Sequence, residues 1–157
     1  MEKIAIFVDV QNVYYTCRDV HKRNFDYNAF WAKVTQNSEV KYAFAYAIER
    51  ADDKQKQFQN ILRAIGFEVK LKPFIQRADG SAKGDWDVGI TLDIMDYASE
   101  VDKVILVSGD GDFAILLDRV QGKFNIPCDV YGVAKLTAAA LINSATDYIP
   151  ITGELLL

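Results

Sequence analysis

Five short apolar runs constrain the fold of this chain more than any other feature. They cover residues 4–8, 42–48, 67–71, 104–107 and 126–131. Most of the runs lack the alternation of a strand with one solvent-facing side, and segments of helical periodicity separate them. Continuous apolar strands are typical of a parallel sheet with helices on both faces. We therefore predict an α/β fold, a three-layer α/β/α sandwich with an open, mostly parallel sheet.

Apolar residues with helical spacing between the runs predict the covering helices. The clearest helix begins at an Asp52 or Asp53 cap and ends at Gly66. Its apolar face is formed by Phe58, Ile61, Leu62 and Ile65. The other predicted helices lie within residues 28–37, 88–95, 113–120 and 136–143.

Length and composition restrict the classes of protein to consider. With 157 residues, half of them apolar, the chain has the size of one globular domain spanning residues 1–157. Cys17 and Cys128 are far apart and His21 is the only histidine, which argues against a zinc site or a disulfide framework. The chain has no apolar stretch of about 18 residues and no signal-peptide pattern at its start, so we expect a cytoplasmic protein without a membrane partner.

Acidic residues follow the ends of two predicted strands and begin one predicted helix. Asp9 ends the first strand, Asp110 and Asp112 follow the fourth, and Asp85 and Asp87 begin the preceding helix. In open α/β sheets the functional site lies beyond the carboxyl ends of the strands. A cluster of oxygen ligands without histidine or thiolate suits Mg²⁺ or Mn²⁺. This chemistry favours metal-assisted hydrolysis of a phosphodiester.

Each acid also has a structural interpretation. Asp110 and Asp112 could cap the following helix, and Asp85 and Asp87 could be ordinary first-turn acids. Asp9 is different, because burying a carboxylate at the end of an apolar strand is unfavourable without a partner. The combination of all these acids favours the metal site.

Three motifs resemble one known family. FVDVQN, KGDWDVGITLDIMDYA and VILVSGDGDFAILL, in this order, resemble the NYN family of PIN-like ribonuclease domains, which also occurs in LabA-type bacterial proteins. The resemblance extends from about residue 3 to residue 149. It implies a PIN-like parallel sheet of strand order 3-2-1-4-5, a metal-dependent ribonuclease activity and RNA as the partner.

The resemblance also implies which residues form the site. The acids that match the family's metal-binding and catalytic positions are Asp9, Asp87, Asp110 and Asp112. The substrate-binding candidates, which match the family's Asn, Lys and Ser positions, are Asn12, Lys83 and Ser108.

Two neighbouring acids receive a lesser role. Asp93 fits the family pattern, but it follows Asp87 by six residues, which places it about 120° away around a helix. We therefore expect Asp93 to be a supporting or surface residue. Asp85 has no clear family counterpart, and we expect it to be a solvated residue at the start of the helix.

The distribution of charge bears on the substrate more than the total does. The net charge of −4 is unusual for a nucleic-acid-binding protein. However, residues 70–83 carry four basic side chains and one acidic one, and residues 73–84 are predicted to form a long loop. A basic loop beside an acidic metal site would suit a phosphodiester. Lys70 and Lys72 could equally be exposed strand residues.

Three aromatic residues near the acids are candidates for base stacking. Tyr14 and Tyr15 follow Asp9, and Trp86 lies between Asp85 and Asp87. Such side chains could stack on unpaired bases, although aromatic residues are more often part of a core. Trp86 is the best of the three because acids flank it on both sides.

The sequence thus predicts an RNA-cleaving, Mg²⁺- or Mn²⁺-dependent endoribonuclease and leaves an alternative open. That alternative is an RNA- or protein-binding regulatory module with little or no turnover. A phosphatase of the haloacid-dehalogenase type fits poorly, because Gln11 occupies the second position of the required Asp-x-Asp pair. Formation of a homo-oligomer also stays open, since residues 155–157 are all leucine and could pack on a partner or on their own sheet.

Overall fold

A computed structural model describes residues 1–73, 75–76, 82–83 and 85–157. Its main sheet has six strands, in which every neighbouring pair is parallel. These strands are β1 (Glu2–Asp9), β2 (Ser38–Glu49), β3 (Glu68–Pro73), β6 (Lys103–Val107), β7 (Cys128–Gly132) and β8 (Asp147–Pro150). Two short strands, β4 (Ile75–Gln76) and β5 (Ala82–Lys83), form a separate antiparallel ribbon. The order across the main sheet is β3-β2-β1-β6-β7-β8.

In the described part of the chain, six α-helices cover the two faces of the main sheet. They are α1 (Val10–His21), α2 (Tyr27–Val34), α3 (Asp53–Ile65), α4 (Asp87–Tyr97), α5 (Ala114–Phe124) and α6 (Ala139–Ser144). The first three share one apolar cluster with the sheet, and the last three share the other. The predicted three-layer α/β/α sandwich is therefore confirmed.

The central strand β1 explains why the apolar runs of the sequence do not alternate. Ile4, Ile6 and Val8 belong to the cluster under α1–α3. Ala5 and Phe7 belong to the cluster under α4–α6. Since both faces of β1 are covered, each of its inner positions requires an apolar side chain.

The predicted order of the five strands is confirmed, and β8 adds a sixth strand at the edge. Its Tyr148 and Ile149 are half-buried between two exposed residues, so the apolar signal is too short to identify a strand. Helix α1 was also absent from the sequence prediction, because it begins directly after Asp9 without a loop or a capping hydrogen bond.

Within the predicted loop of residues 73–84, the structure describes the ribbon of β4 and β5. Residues 74, 77–81 and 84 lie outside the described part of the chain, and so do the side chains of the two ribbon strands.

The C-terminal leucines pack on their own domain. Leu155 and Leu156 are buried in the cluster under α1–α3, and Phe25 forms a β-bridge with Leu156. Leu157 is exposed. Among the described residues, no helix is both long and apolar enough to cross a membrane.

Helix α3 allows a matched test of the core. Asp52 caps its start by accepting a hydrogen bond from the Lys54 N–H, and Gly66 ends it, as predicted. Leu62 is fully buried, whereas the preceding residue Ile61 is 53% exposed.

Leu62→Ala should lower the free energy of unfolding by about 2–5 kcal/mol, because it removes buried methyl groups and leaves a cavity. Ile61→Ala should change it by less than about 0.5 kcal/mol. Urea denaturation of the two variants measures the difference. Equal effects of the two substitutions would contradict this assignment of the core.

Candidate functional site

Asp9 is a buried carboxylate at the carboxyl edge of the sheet. Val8 of β1 lies opposite Val107 of β6, so the residues that follow them, Asp9 and Ser108, meet where the two strands end. The Ser108 hydroxyl donates a hydrogen bond to Oδ2 of Asp9 at 3.2 Å. Asp9 is only 8% exposed, and this bond provides part of the polar contact that a buried carboxylate requires.

The segment after β6 connects Asp9 to the other acids of the motif. The Asp110 N–H donates to the Ser108 hydroxyl at 3.2 Å, so this hydroxyl bridges two acidic residues. The Asn12 side-chain carbonyl, in the first turn of α1, accepts a hydrogen bond from the Gly109 N–H at 2.9 Å. Two of the predicted substrate-binding residues, Asn12 and Ser108, therefore hold the backbone and the acids of the site in place.

Three of the four predicted acids form one cluster of oxygen atoms. Asp87, Asp110 and Asp112 each offer a carboxylate oxygen, and these oxygens lie within 4.8 Å of one another. Asp9 is not a member of this cluster among the described residues, but its charge is close enough to affect Asp87. The structure therefore brings the acids of three chain-distant segments to one edge of the sheet.

Asp110 and Asp85 also have the capping role that the sequence left open. Oδ1 of Asp110 accepts a hydrogen bond from the Asp112 N–H at 2.9 Å, at the start of a 3₁₀ turn. Oδ1 of Asp85 accepts one from the Asp87 N–H at 3.2 Å. For Asp110, capping and membership of the carboxylate cluster therefore occur together.

Two acids of the site, Asp9 and Asp87, bind protons more tightly than isolated aspartates do. Burial raises the pKa of Asp9 to about 6, with the negative charges of Asp110 and Asp85 acting in the same direction against the hydrogen bond from Ser108. Burial, a hydrogen bond with Asp110 and the surrounding carboxylates raise the pKa of Asp87. Asp85, expected to be only a solvated residue, thus acts electrostatically on both acids. A bound cation would relieve this repulsion.

Trp86 holds the start of α4 against the sheet and is not free to stack on a base. Its indole N–H donates to the Ala47 carbonyl at 2.8 Å, and its ring contacts Tyr46 at a centroid distance of 5.3 Å. The ammonium of Lys72 lies 4.9 Å from the ring centroid. The expectation that Trp86 is the best stacking residue is therefore wrong, since β2 and Lys72 engage the ring. These contacts of Trp86 with Ala47, Tyr46 and Lys72, which we call the Trp86 clamp, fix the residue that precedes Asp87.

Asp93 is a supporting residue, as its helical position predicted. Its Oδ2 accepts hydrogen bonds from the Tyr46 hydroxyl at 2.8 Å and from the Lys70 ammonium at 2.7 Å. Burial and the bond to Asp93 raise the pKa of Tyr46, so its hydroxyl stays protonated. These contacts connect α4 to β2 and β3 close to the site.

Two of the basic residues proposed to hold a phosphate backbone are engaged within the protein. Lys70 forms the ion pair with Asp93, and Lys72 donates to the Asp85 carbonyl. Their alternative role as strand residues is therefore the one that the structure favours. Lys83 lies in β5, but its side chain is outside the described residues, as is Arg77.

Two glycines allow the segment after β7 to pack closely on the acidic loop. A Cβ atom on Gly109 would lie 2.6 Å from the Leu136 carbonyl oxygen, and one on Gly111 would lie 2.8 Å from Cβ of Ala138. The Ala138 N–H also donates to the Gly109 carbonyl at 3.1 Å. The glycines of the Ser-Gly-Asp-Gly-Asp motif are thus a packing requirement that the sequence analysis did not identify.

The buried acid predicts how the stability of the metal-free protein depends on pH. The folded protein binds the Asp9 proton more tightly than the unfolded chain does, so this group destabilises the fold as the pH rises from about 4 to above 6. Asp9→Asn should therefore raise the free energy of unfolding at pH 8 by roughly 3 kcal/mol relative to wild type and have little effect at pH 4. Urea denaturation in EDTA measures both values. The exposed Asp118→Asn variant is the control, and an Asp9→Asn effect independent of pH would contradict the assignment.

The packing of Trp86 predicts opposite effects of one substitution at two helical glycines. A Cβ on Gly89 would lie 2.5 Å from the Trp86 ring, whereas a Cβ on Gly122 would meet no atom within 4 Å. Gly122→Ala should stabilise the protein by up to about 1 kcal/mol, because alanine favours a helix. Gly89→Ala should destabilise it by about 1–3 kcal/mol and weaken Mn²⁺ binding, because the ring that fixes Asp87 must move. Thermal unfolding measures the change in stability, and Mn²⁺ titration measures the change in binding. A more stable Gly89→Ala protein would contradict the proposed packing of Trp86.

Comparisons with known proteins agree with this fold. A crystal structure of a protein of unknown function from Vibrio parahaemolyticus RIMD 2210633 is 60% identical in sequence and superposes with a TM-score of 0.95, covering 99% of this chain and 96% of that chain. The protein "Low amplitude and bright protein LabA" of Synechococcus elongatus is 26% identical over 160 residues, covering 95% of this chain and 83% of that protein.

The family model of the NYN domain matches residues 3–152, which include the acids at the carboxyl edge of the sheet. The chain therefore belongs to the NYN domain family, within the PIN-like nuclease superfamily.

Proposed function

We propose that this protein is a metal-dependent ribonuclease that hydrolyses RNA phosphodiester bonds with Asp9, Asp87, Asp110 and Asp112. The observation that carries the proposal is the cluster of Asp87, Asp110 and Asp112, whose oxygens lie within 4.8 Å of one another. Membership of the NYN family and the burial of Asp9 beside this cluster support it.

The residues fit a hard divalent cation. The cluster offers only carboxylate oxygens, which are the ligands that Mg²⁺ and Mn²⁺ prefer. The cluster acids repel one another, and burial together with the neighbouring carboxylates raises the pKa of Asp87, so a cation would replace a proton and neutralise charge at the same place. When bound, such a cation supplies a water of lowered pKa and offsets the negative charge that develops on the phosphoryl group.

The protein's own residues orient the acids for this reaction. Asp87, Asp110 and Asp112 would hold the cation, while Ser108 fixes the carboxylate of Asp9. Above a pH of about 6 this carboxylate is ionised, and it can then act as a further ligand or accept a proton. These roles need the acids in fixed positions, which their backbone and side-chain hydrogen bonds provide.

Two predicted substrate-binding residues have different parts in the proposal. Asn12 would act by holding the Gly109 N–H, which fixes the start of the Ser-Gly-Asp-Gly-Asp loop. Lys83, in the ribbon that precedes α4, would contact a phosphate of the substrate.

A groove beside the carboxylates gives the substrate a place to lie. Its volume is about 210 Å³, and it is lined by Asp87, Val88, Thr91, Leu92, Asp112 and Phe113. Two of the cluster acids form its wall, and the other lining residues are mostly apolar. We propose that the groove receives the nucleotide next to the bond that is cleaved.

Cleavage of RNA by matched aspartate variants tests the proposed function. Wild type should cleave single-stranded RNA in Mn²⁺ or Mg²⁺ and should not cleave it in EDTA. Asp9→Asn and Asp110→Asn should each lower kcat/KM by about 100-fold or more. Asp118→Asn, an exposed acid of α5 outside the cluster, should keep wild-type activity.

Two results would reject this function in different ways. Equal cleavage by wild type, Asp9→Asn and Asp110→Asn would show that these acids are not the site of the reaction. RNA binding by wild type without metal-dependent cleavage would identify a binding module instead of an enzyme.

A further inference from the structure

Two neighbouring tyrosines on α1 are exposed and have no role in the core. Tyr14 and Tyr15 are 52% and 54% exposed, and their rings meet edge to face at a centroid distance of 5.4 Å. Neither hydroxyl forms a hydrogen bond within the described part of the chain. Adjacent exposed aromatic side chains are unusual on a surface that contacts only water, so the pair points to a binding role.

This pair lies on the helix that begins at the carboxylate site. The helix begins directly after Asp9, and Asn12 in its first turn holds the backbone of Gly109. Tyr15 is six residues beyond Asp9, which corresponds to about 9 Å along a helix axis. The tyrosines therefore lie on the helix that begins at the buried acid of the site, between one and two turns beyond it.

A cationic side chain, Arg18, continues the same surface. Arg18 lies one helical turn beyond both tyrosines and is exposed. Within the described residues, no hydrogen bond or ion pair engages its guanidinium. Lys22, which directly follows α1, is also exposed, and its ammonium donates to the carbonyl of Asp19. Aromatic rings followed by cations are the combination that single-stranded nucleic acids bind.

We propose that Tyr14, Tyr15 and Arg18 form a subsite for single-stranded RNA, in which an unpaired base stacks on a tyrosine ring and Arg18 contacts the backbone. This inference rests on the proposed function, because the acids define where the RNA chain passes. The bases of a duplex are stacked on one another and are not available to the rings, so the subsite selects unpaired RNA.

Binding and cleavage of defined RNAs test this subsite. The probes are a fluorescein-labelled oligouridine and an RNA hairpin with a fully paired stem, with binding measured in Ca²⁺ and cleavage in Mn²⁺. The double variant Tyr14→Ala/Tyr15→Ala should weaken oligouridine binding about 5-fold or more, since that is the contribution of one stacked base. Binding of the hairpin should change by less than twofold. Phenylalanine at both positions should restore oligouridine binding, because it keeps the rings and removes only the hydroxyls.

Helix α5 offers a matched control on the opposite face of the sheet. Its Ile115 and Arg119 are exposed and have the spacing of Tyr14 and Arg18. They line a surface depression of about 540 Å³ that includes none of the cluster acids. Arg18→Ala should weaken oligouridine binding, whereas Ile115→Ala and Arg119→Ala should leave it unchanged.

A fluorescent base separates stacking from other effects. Oligouridine with one 2-aminopurine should lose fluorescence on binding to wild type and to the phenylalanine variant, but not to the alanine variant. Unchanged binding by the alanine variant, or no recovery by the phenylalanine variant, would overturn the subsite. Loss of self-association in the alanine variant, with RNA binding unchanged, would overturn it in favour of a contact between copies of this chain.

The failure of this inference can be distinguished from failure of the proposed function. If wild type cleaves oligouridine and the tyrosine variants cleave it equally well, the function stands and the subsite is wrong. If neither wild type nor any variant cleaves RNA in Mn²⁺ but the tyrosine substitutions still weaken RNA binding, the subsite is right and the protein is an RNA-binding module, not a ribonuclease.

Discussion

The buried carboxylate of Asp9 is the constraint on which the carboxyl edge of the sheet depends. A charged group that is only 8% exposed needs polar partners, and the hydroxyl of Ser108 is one of them. This contact requires that β1 and β6 be adjacent and parallel and that they end at the same level. The residues after β6 are thereby brought to Asp9, together with their own acids. The apolar core places β1 beside β6, and this neighbourhood determines which acids meet at the site.

The site then keeps together groups that repel one another. Asp110 is held by its own turn, and Asp87 follows Trp86, whose ring is fixed between β2 and Lys72. Burial raises the pKa values of Asp9 and Asp87, and the charges of the neighbouring carboxylates act in the same direction. The folded protein keeps these carboxylates close together although they repel one another. A bound cation would reduce that repulsion, so the site favours a cation. This accounts for an acidic protein that we propose to act on a polyanion.

Much of the fold could be predicted because a strand that is buried on both faces has an uninterrupted run of apolar residues. β1 is covered on both faces, which produces the uninterrupted run from Ile4 to Val8, and the order of the first five strands followed from the family resemblance. β8 was not predicted because it is a short edge strand in which two residues, Tyr148 and Ile149, are half-buried. α1 was not predicted because it follows β1 directly, without a turn residue between them and without a side-chain capping hydrogen bond at its start.

The candidate site was predictable in its residue types and less so in its contacts. Asp9, Asp110 and Asp112 could be identified because they follow strand ends, and Asp87 because it matches an acid of the family. The geometry brings Asp87, Asp110 and Asp112 together. The roles of Trp86, Lys70 and Lys72 could not be derived, because a hydrogen bond to Ala47 and an ion pair with Asp93 join residues far apart in the chain. Side chains that act between elements leave no periodic signal in the sequence.

In the proposed site, Asp87, Asp110 and Asp112 hold a divalent cation. The most direct test is anomalous diffraction from crystals of the wild-type protein soaked in Mn²⁺. We expect a manganese peak bonded to carboxylate oxygens of these three residues, at the edge where β1 and β6 end. A peak only at other acids, or none at this cluster under saturating Mn²⁺, would contradict it.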